Sequence, residues 1–213
     1  MRMRNKPHLE EKFKKHPLVI YKLEDKVNWV NFFGNNHPIH LEIGTGRSDF
    51  ILKLARENHD INFIGMDKVK EALNYPVSKA KEEGLPNIGF IYGDARNLRE
   101  YFDDDRVSRI YLNFSDPWTK RKHIKRRLTH KDFLELYKKI LIEGGEIHLK
   151  TDDYNFFKFS LESLSQNGFL LRNITFDLHH SKFAEDNIMT GYEKRWLSEG
   201  KGIFRLEGVF KTE

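Results

Sequence analysis

One carboxylate stands directly before a dense run of cations in the stretch NFSDPWTKRKHIKRRL, residues 113–128. Asp116 is followed by Pro117 and Trp118, and six Lys and Arg residues lie between positions 120 and 127 with no acidic residue among them. The formal net charge of the whole chain is only +5, so the excess of positive charge is concentrated here. A local patch of this kind is typical of a surface that binds a polyanion, either nucleic acid or an anionic membrane; a solvated charged loop is the alternative.

Other acidic residues stand at or beside the ends of apolar runs. Glu42 precedes a glycine turn, and Asp67, Asp94 and Asp152 each follow a run rich in apolar and β-branched residues, as Asp116 does. Singly, such a residue is a common helix cap or turn former. All five together favour a site, because ligands of open parallel sheets bind at the carboxyl ends of the strands.

Five strands that alternate with helical patterns would position these acids. The strands are predicted at Ile39–Gly44, Ile61–Asp67, Ile88–Asp94, Arg109–Asp116 and Gly145–Asp152. Segments between them, such as 50–59 and 69–84, carry apolar residues at helical spacing. This alternation predicts an α/β fold with a mostly parallel sheet and helices on both faces. Two later strands at 169–178 and 203–211, with no obvious full helix between them, bring the expected number to seven, the last one antiparallel.

The domain organisation is expected to be simple. The 213 residues can bury one substantial core. Residues 38–213 are predicted to form that single domain, and residues 1–37 a basic arm with at most a short helix, whose Arg2, Arg4 and Lys6 would add to polyanion binding.

Composition narrows the protein class. There is no cysteine, no signal-peptide pattern and no apolar run long enough for a membrane span, so we expect a cytoplasmic protein without a membrane partner. The ten histidines show no metal-binding spacing, so no metal is expected. Whether the protein is a monomer or a homodimer stays open.

The glycine turn after the first predicted strand suggests a nucleotide-type ligand. Gly44 and Gly46 fit such a loop, but position 49 is Asp where a dinucleotide-binding loop has its third glycine. Glu42 and Asp49 would also repel a phosphate. S-adenosylmethionine fits better, because its cationic amino and sulfonium groups suit Glu42. Its ribose hydroxyls suit Asp67 and its adenine amino group suits Asp94, which is the order of contacts in class I methyltransferases. The chain resembles that family, with its Rossmann-like fold, from Pro38 to the C-terminus.

Three ordered motifs extend the resemblance. DPWTKRKHIKRRL, LKTDD and NIMTGYE resemble the bacterial tRNA (guanine-N7)-methyltransferases, whose patterns are DPWPKxxHxKRRL, KTD and TxYE. Thr119 replaces the usual proline, and Gly191 fills the variable place in TxYE. The resemblance implies methyl transfer from S-adenosylmethionine to N7 of the guanine at position 46 of tRNA.

The resemblance also implies residue roles. Asp116 would be the catalytic residue, which orients the acceptor and stabilises its charge. The cofactor would be bound by Glu42, Gly44, Gly46, Asp67, Asp94 and Asp116. The substrate would be bound by Lys120, Asp152, Thr190, Tyr192 and Glu193. The RNA backbone would be bound by Lys122, His123, Lys125, Arg126 and Arg127.

Several alternatives stay open at this stage. Thr190 and Glu193 also have the spacing of a helix capping box. Trp118 suits either stacking on a base or internal packing. Methylation of another acceptor, a non-catalytic RNA-binding protein, and an NAD-dependent oxidoreductase, which Glu42 and Asp49 disfavour, are the functional alternatives.

Overall fold

Eight strands form one sheet in the structure, a computed structural model that describes residues 8–21, 26–47 and 49–211. The strands are β1 (Val19–Ile20), β2 (Ile39–Ile43), β3 (Asn62–Asp67), β4 (Ile88–Tyr92), β5 (Val107–Asn113), β6 (Leu141–Thr151), β7 (Phe169–Thr175) and β8 (Phe204–Phe210). Their spatial order is β1-β4-β3-β2-β5-β6-β8-β7. Strand β8 runs antiparallel to both of its neighbours, β6 and β7, and the other neighbouring pairs are parallel. The mostly parallel sheet with an antiparallel last strand is confirmed. The predicted number of seven was wrong by one, because β1 is too short to show a sequence pattern.

Helices cover both faces of the sheet. They are α1 (His8–Lys14), α2 (Trp29–Phe33), α3 (Phe50–Glu57), α4 (Lys70–Glu82), α5 (Leu98–Tyr101), α6 (Lys131–Ile140), α7 (Tyr154–Gln166) and α8 (Gly191–Ser198). The amphipathic spacing explains their packing: α3 buries Phe50, Ile51, Leu52 and Ala55 on one side. Two apolar clusters result, one on each face of the sheet. Along the chain, the helix α8 follows β7 and precedes β8, in a segment where the sequence had indicated no full helix.

The segment before Pro38 is part of the folded body. The strand β1 pairs in parallel with β4, and α1 packs on α4. Trp29 of α2 is buried, and its Nε1 donates to the Tyr101 carbonyl oxygen (2.9 Å). The expectation of an arm with at most a short helix is therefore wrong for the described residues of this segment. Arg2, Arg4 and Lys6 lie outside the described residues, and the domain boundary at residue 38 stays a prediction.

The chain reverses its direction of sheet growth between β2 and β5. From β2 it builds outward through β3 and β4, and then crosses to the other side of β2 to form β5. Such a switch point leaves a crevice at the carboxyl ends of the two central strands. The fold therefore provides a binding crevice beside Glu42 and Asn113, the polar residues at or near the ends of β2 and β5.

Candidate active site

A pocket of about 860 Å³ opens at the carboxyl ends of the central strands. Ten residues predicted for the site line it: Glu42, Gly44, Gly46, Asp67, Asp94, Asp116, Lys125, Arg126, Thr190 and Tyr192. Its volume lies within the range of about 300–1,000 Å³ that is typical of ligand pockets. The predicted cofactor residues and part of the predicted RNA-binding loop thus share one cavity.

Glu42 is the buried acid at the centre of this pocket. Asn113 Nδ2 donates to Glu42 Oε1 (3.0 Å) across the switch point, whereas Glu42 Oε2 is buried and has no hydrogen-bond partner within the described residues. Burial raises the pKa of Glu42 to about 7, although Asn113 and Thr45 oppose the shift. A buried acceptor without a partner that lines a pocket is suited to a cationic ligand group.

The glycine loop after β2 is held against the end of β3. Gly44 and Gly46 both have positive φ angles, 82° and 61°, which L side chains rarely adopt. The Gly46 amide donates to Asp67 Oδ2 (2.9 Å), and the Val69 amide donates to Asp67 Oδ1 (2.8 Å). Each carboxylate oxygen keeps a lone pair for a further donor. Asp67 therefore organises the loop and can still accept from a ligand.

Asp94 is held by its neighbour Arg96. The guanidinium of Arg96 donates to both carboxylate oxygens, Nε to Oδ1 (3.0 Å) and Nη2 to Oδ2 (2.7 Å). This pairing lowers the pKa of Asp94, which keeps the carboxylate charged. Arg96 also lines the pocket, and nothing in the sequence motifs had pointed to it.

The end of β5 presents Asp116 together with aromatic rings. Asp116 is exposed. Two residues that flank it have positive φ angles, Phe114 at 51° and Trp118 at 41°, so the chain turns sharply on both sides of the carboxylate. The ring of Phe114 stacks on that of Tyr192 (6.4 Å between centroids, 23° between planes). The exposed acid and an aromatic pair thus lie in the wall of the same pocket.

The cations of the basic loop, residues 120–127, divide by burial. Lys125 and Arg126 are exposed in the pocket wall, and the Arg126 guanidinium lies 4.9 Å from the centre of the Trp118 ring. Arg127 is buried: its Nε donates to the Pro117 carbonyl oxygen (2.8 Å) and its guanidinium lies 4.5 Å from the centre of the Phe159 ring. The prediction that Arg127 binds RNA is therefore corrected. It holds the turn after Asp116.

Glu193 also differs from its predicted role. Its side chain is fully buried, and it forms the capping box with Thr190 that the sequence had left as an alternative. The Lys150 ammonium donates to Glu193 Oε2 (2.8 Å), to Asn187 Oδ1 (3.0 Å) and to the Ile188 carbonyl oxygen (2.9 Å). Asn187 Nδ2 donates to the other oxygen of Glu193. A direct contact between Glu193 and a base is not compatible with this geometry.

The other predicted residues lie around the pocket rather than in its wall. Lys120 and Lys122 are exposed, and Asp152 is half-buried beside the start of α7. The His123 ring packs edge-on against Trp118 (5.6 Å). Their predicted contacts with substrate stay predictions. Within the described residues, no group of three His, Asp or Glu side chains is placed to hold a metal ion, and no helix is both long and apolar enough to cross a membrane.

Sequence relatives identify the family. The profile of a family described as putative methyltransferase matches residues 36–206. A tRNA (guanine-N(7)-)-methyltransferase of Brevibacillus brevis is 48% identical over 208 residues, which cover 97% of this chain and 97% of the relative. A protein of the same name from Streptococcus pneumoniae is 46% identical over 99% of this chain and 100% of its own. The chain belongs to the tRNA (guanine-N(7)-)-methyltransferase family.

Solved structures place this family member in the class I methyltransferase fold. The structure of an antibiotic-related methyltransferase has a TM-score of 0.63 at 20% identity and covers 90% of this chain and 97% of its own. The 16S rRNA methyltransferase KamB has a TM-score of 0.66 at 14% identity with the same coverage. At these identities the likeness concerns the fold, and the predicted fold class is confirmed.

Besides Arg96, two residues at this methyltransferase site received no role in the sequence interpretation. Lys150 and Asn113 are polar residues near the carboxyl ends of β6 and β5, and both engage a buried glutamate. Their signal was available, since a polar side chain that points inward from a buried strand needs a partner. The identity of that partner depended on packing between distant segments.

Proposed function

We propose that this methyltransferase transfers the methyl group of S-adenosylmethionine to N7 of a guanine in tRNA, at position 46, in the cytoplasm. One observation carries the proposal: a single pocket joins the buried acceptor Glu42 to the exposed Asp116 and to the cations Lys125 and Arg126. In that pocket Glu42 suits a cationic cofactor, Asp116 suits a base that becomes positively charged, and the two cations suit an RNA backbone. The names of the relatives support the choice of tRNA.

The chemistry of the pocket fits the cofactor. The carboxylate of Glu42 suits its amino group or sulfonium, the free lone pairs of Asp67 suit the ribose hydroxyls, and Asp94 suits the adenine amino group. When bound, S-adenosylmethionine supplies the electrophilic methyl group. The turn at Gly44 and Gly46 lets the backbone lie close to the ligand, because neither residue has a side chain in the way.

Guanine N7 requires little acid–base chemistry from the protein. Its lone pair is already nucleophilic, so the protein must mainly orient the base and stabilise the positive charge that develops on the purine. Asp116 is exposed at the pocket wall and provides that negative charge. The stacked pair of Phe114 and Tyr192 offers an apolar surface for the purine ring.

Access to N7 determines the form of the substrate. N7 faces the deep, narrow major groove of an RNA helix, which side chains do not read, so the guanine must be unpaired or drawn out into the pocket. Lys125 and Arg126 are placed to hold the phosphates beside it.

A transfer assay tests the proposal. Radiolabelled S-adenosylmethionine is incubated with a tRNA transcript, and aniline cleavage locates N7-methylguanine. We expect one cleavage site, at guanine 46, and its loss when that guanine is replaced by adenine. A methyl group found only on adenine, on another base or on protein would contradict the proposal. Binding of tRNA without any binding of S-adenosylmethionine would instead favour the non-catalytic alternative.

A further inference from the structure

A second cationic groove lies between α1 and α4, outside the pocket described above. It has a volume of about 530 Å³. Six of the residues that line it are Lys12, Lys15, His16, Ser78, Lys81 and Glu82. The proposed reaction uses none of them.

The lining of the groove is rich in positive charge. Lys12, Lys15 and Lys81 all have exposed side chains. The acid of the lining, Glu82, already accepts a hydrogen bond from Lys79 Nζ (2.9 Å). The groove therefore has a net positive charge, which favours an anionic ligand.

His16 supplies an independent indication of a ligand. It is only 7% exposed, its Nδ1 accepts from the Leu18 amide (3.3 Å), and its Nε2 is buried with no partner among the described residues. Burial, with two lysines nearby, lowers the pKa of His16, so the ring is neutral and its one N–H is on Nε2. The Lys12 ammonium is held beside it along α4 by Asn74 Oδ1 (2.9 Å) and Ser78 Oγ (3.1 Å). The groove thus combines a buried donor that lacks an acceptor with one lysine held by hydrogen bonds, Lys12, and two further exposed lysines, Lys15 and Lys81.

We propose that this groove binds a phosphate of the tRNA backbone, away from the reacting guanine. The proposal rests on the proposed function, since it takes tRNA as the polyanion. Helix α4 begins at Lys70, next to Lys68 and Val69 of the pocket wall, and ends at the groove. Its 13 residues span about 18 to 20 Å, which corresponds to about five to six nucleotides at the roughly 3.4 Å spacing of a stacked strand. One tRNA therefore reaches both sites.

Charge reversal in the groove tests this second contact. The double variant Lys15→Glu with Lys81→Glu is compared with Lys139→Glu with Lys211→Glu, which makes the same change of charge at exposed lysines elsewhere. Relative to that control, we expect the groove variant to raise the KM for tRNA about tenfold. We also expect the slope of log affinity against log salt to become shallower by about one, because one phosphate contact is lost. Equal KM values and equal salt slopes for the two variants would overturn the proposal that the groove binds tRNA.

A spectroscopic measurement follows His16 directly. With 15N-labelled histidine, inorganic phosphate as the probe should shift the His16 ring resonance in the wild type and not in the groove variant, and tRNA should do the same at lower concentration. If neither phosphate nor tRNA shifts the His16 resonance of the wild type, the proposal is overturned. If the wild type methylates tRNA and the groove variant matches its control, the groove fails while the proposed function stands. If the wild type transfers no methyl group but the groove variant still binds tRNA more weakly than its control, the proposed function fails while the groove stands as a tRNA-binding site.

Discussion

Charged residues stand behind the pocket and in front of it, and the two groups differ in burial. The rear group consists of Glu42, Lys150 and Glu193, all at least nine-tenths buried. The front group consists of Asp116, Lys125 and Arg126, all exposed. Charges taken out of water need partners, and Lys150 and Glu193 are fixed by their hydrogen bonds. Glu42 accepts from Asn113 through one oxygen and keeps the other for a ligand, and the front group stays available to a substrate. The same residue types therefore serve structure in Lys150 and Glu193 and recognition in the others.

The rear group connects two parts of the chain. Glu193 lies in the first turn of α8, and Lys150 stands near the end of β6, where its positive charge also acts on Glu42. All three donors of the ammonium are used within the segment 187–193. The start of α8, which carries Tyr192, is thus held against the end of β6.

The largest effect should come from breaking this contact. Lys150→Met leaves Glu193 buried beside no ammonium, and we expect a loss of about 3–5 kcal/mol in the free energy of unfolding. Chemical denaturation measures it. As a control, Lys138→Met removes a more accessible pair with Glu135 (2.8 Å) and should cost less than about 1 kcal/mol. Adding Glu193→Gln to Lys150→Met should recover part of the loss. Equal effects of the two lysine variants would contradict the distinction between the buried and the more accessible ion pair.

In the front group, Asp116→Ala should act on rate and leave folding intact. Loss of one preorganised charge at the acceptor is expected to lower kcat by about two to three decades, while the melting temperature stays near that of the wild type because the side chain is exposed. Single-turnover methyl transfer to tRNA measures the rate. Asp60→Ala, at another exposed aspartate, serves as the control. Comparable rates for the two variants would show that Asp116 has no role in methyl transfer.

Glu42 should show opposite pH dependences for stability and for cofactor binding. Its pKa rises from 4.5 to about 7 on folding, so its contribution to stability is present below pH 4.5 and is lost as the pH rises through 7. The change is at most about 3 kcal/mol. Binding of S-adenosylmethionine should instead strengthen as the pH rises through 7, because the charged carboxylate attracts the cation.

Thermal unfolding and calorimetry at pH 5 to 8 measure the two dependences of Glu42. The variant Glu42→Gln should flatten the stability dependence and weaken cofactor binding at pH 8. An unchanged stability profile in this variant would assign the pH dependence to other groups.

The smallest effects should separate two adjacent arginines. Arg127→Ala should lower the free energy of unfolding by about 1–3 kcal/mol, because it leaves the Pro117 carbonyl without its donor and removes a buried side chain. Arg126→Ala should barely change stability and should reduce the salt slope of tRNA binding by about one. Denaturation and filter binding on both variants measure the difference; an exchange of the two phenotypes would show that the burial of Arg127 was misinterpreted.

The sequence predicted what depends on local pattern. Strand ends, the glycine turn and the line of carboxylates at one rim follow from periodicity and from the rule that ligands bind at the carboxyl ends of parallel strands. It could not separate Arg126 from Arg127, because both lie in one polar run. They are distinguished by the contacts of Arg127 with Phe159 of α7 and with the Pro117 carbonyl. The role of Glu193 was missed for a related reason. A capping box and a base contact require the same residue types, and the deciding partner, Lys150, is 43 positions away.

The two-residue strand β1 has a consequence for how the protein can be shortened. By pairing with β4 it covers a sheet edge whose residues, Ile88 to Tyr92, are almost entirely buried. A chain cut at residue 38 keeps every motif of the site but uncovers that edge, where free amide and carbonyl groups of an apolar strand invite pairing with another molecule. Strand β1 thus protects the protein from self-association. A form truncated at residue 38 is expected to aggregate before its activity can be assayed.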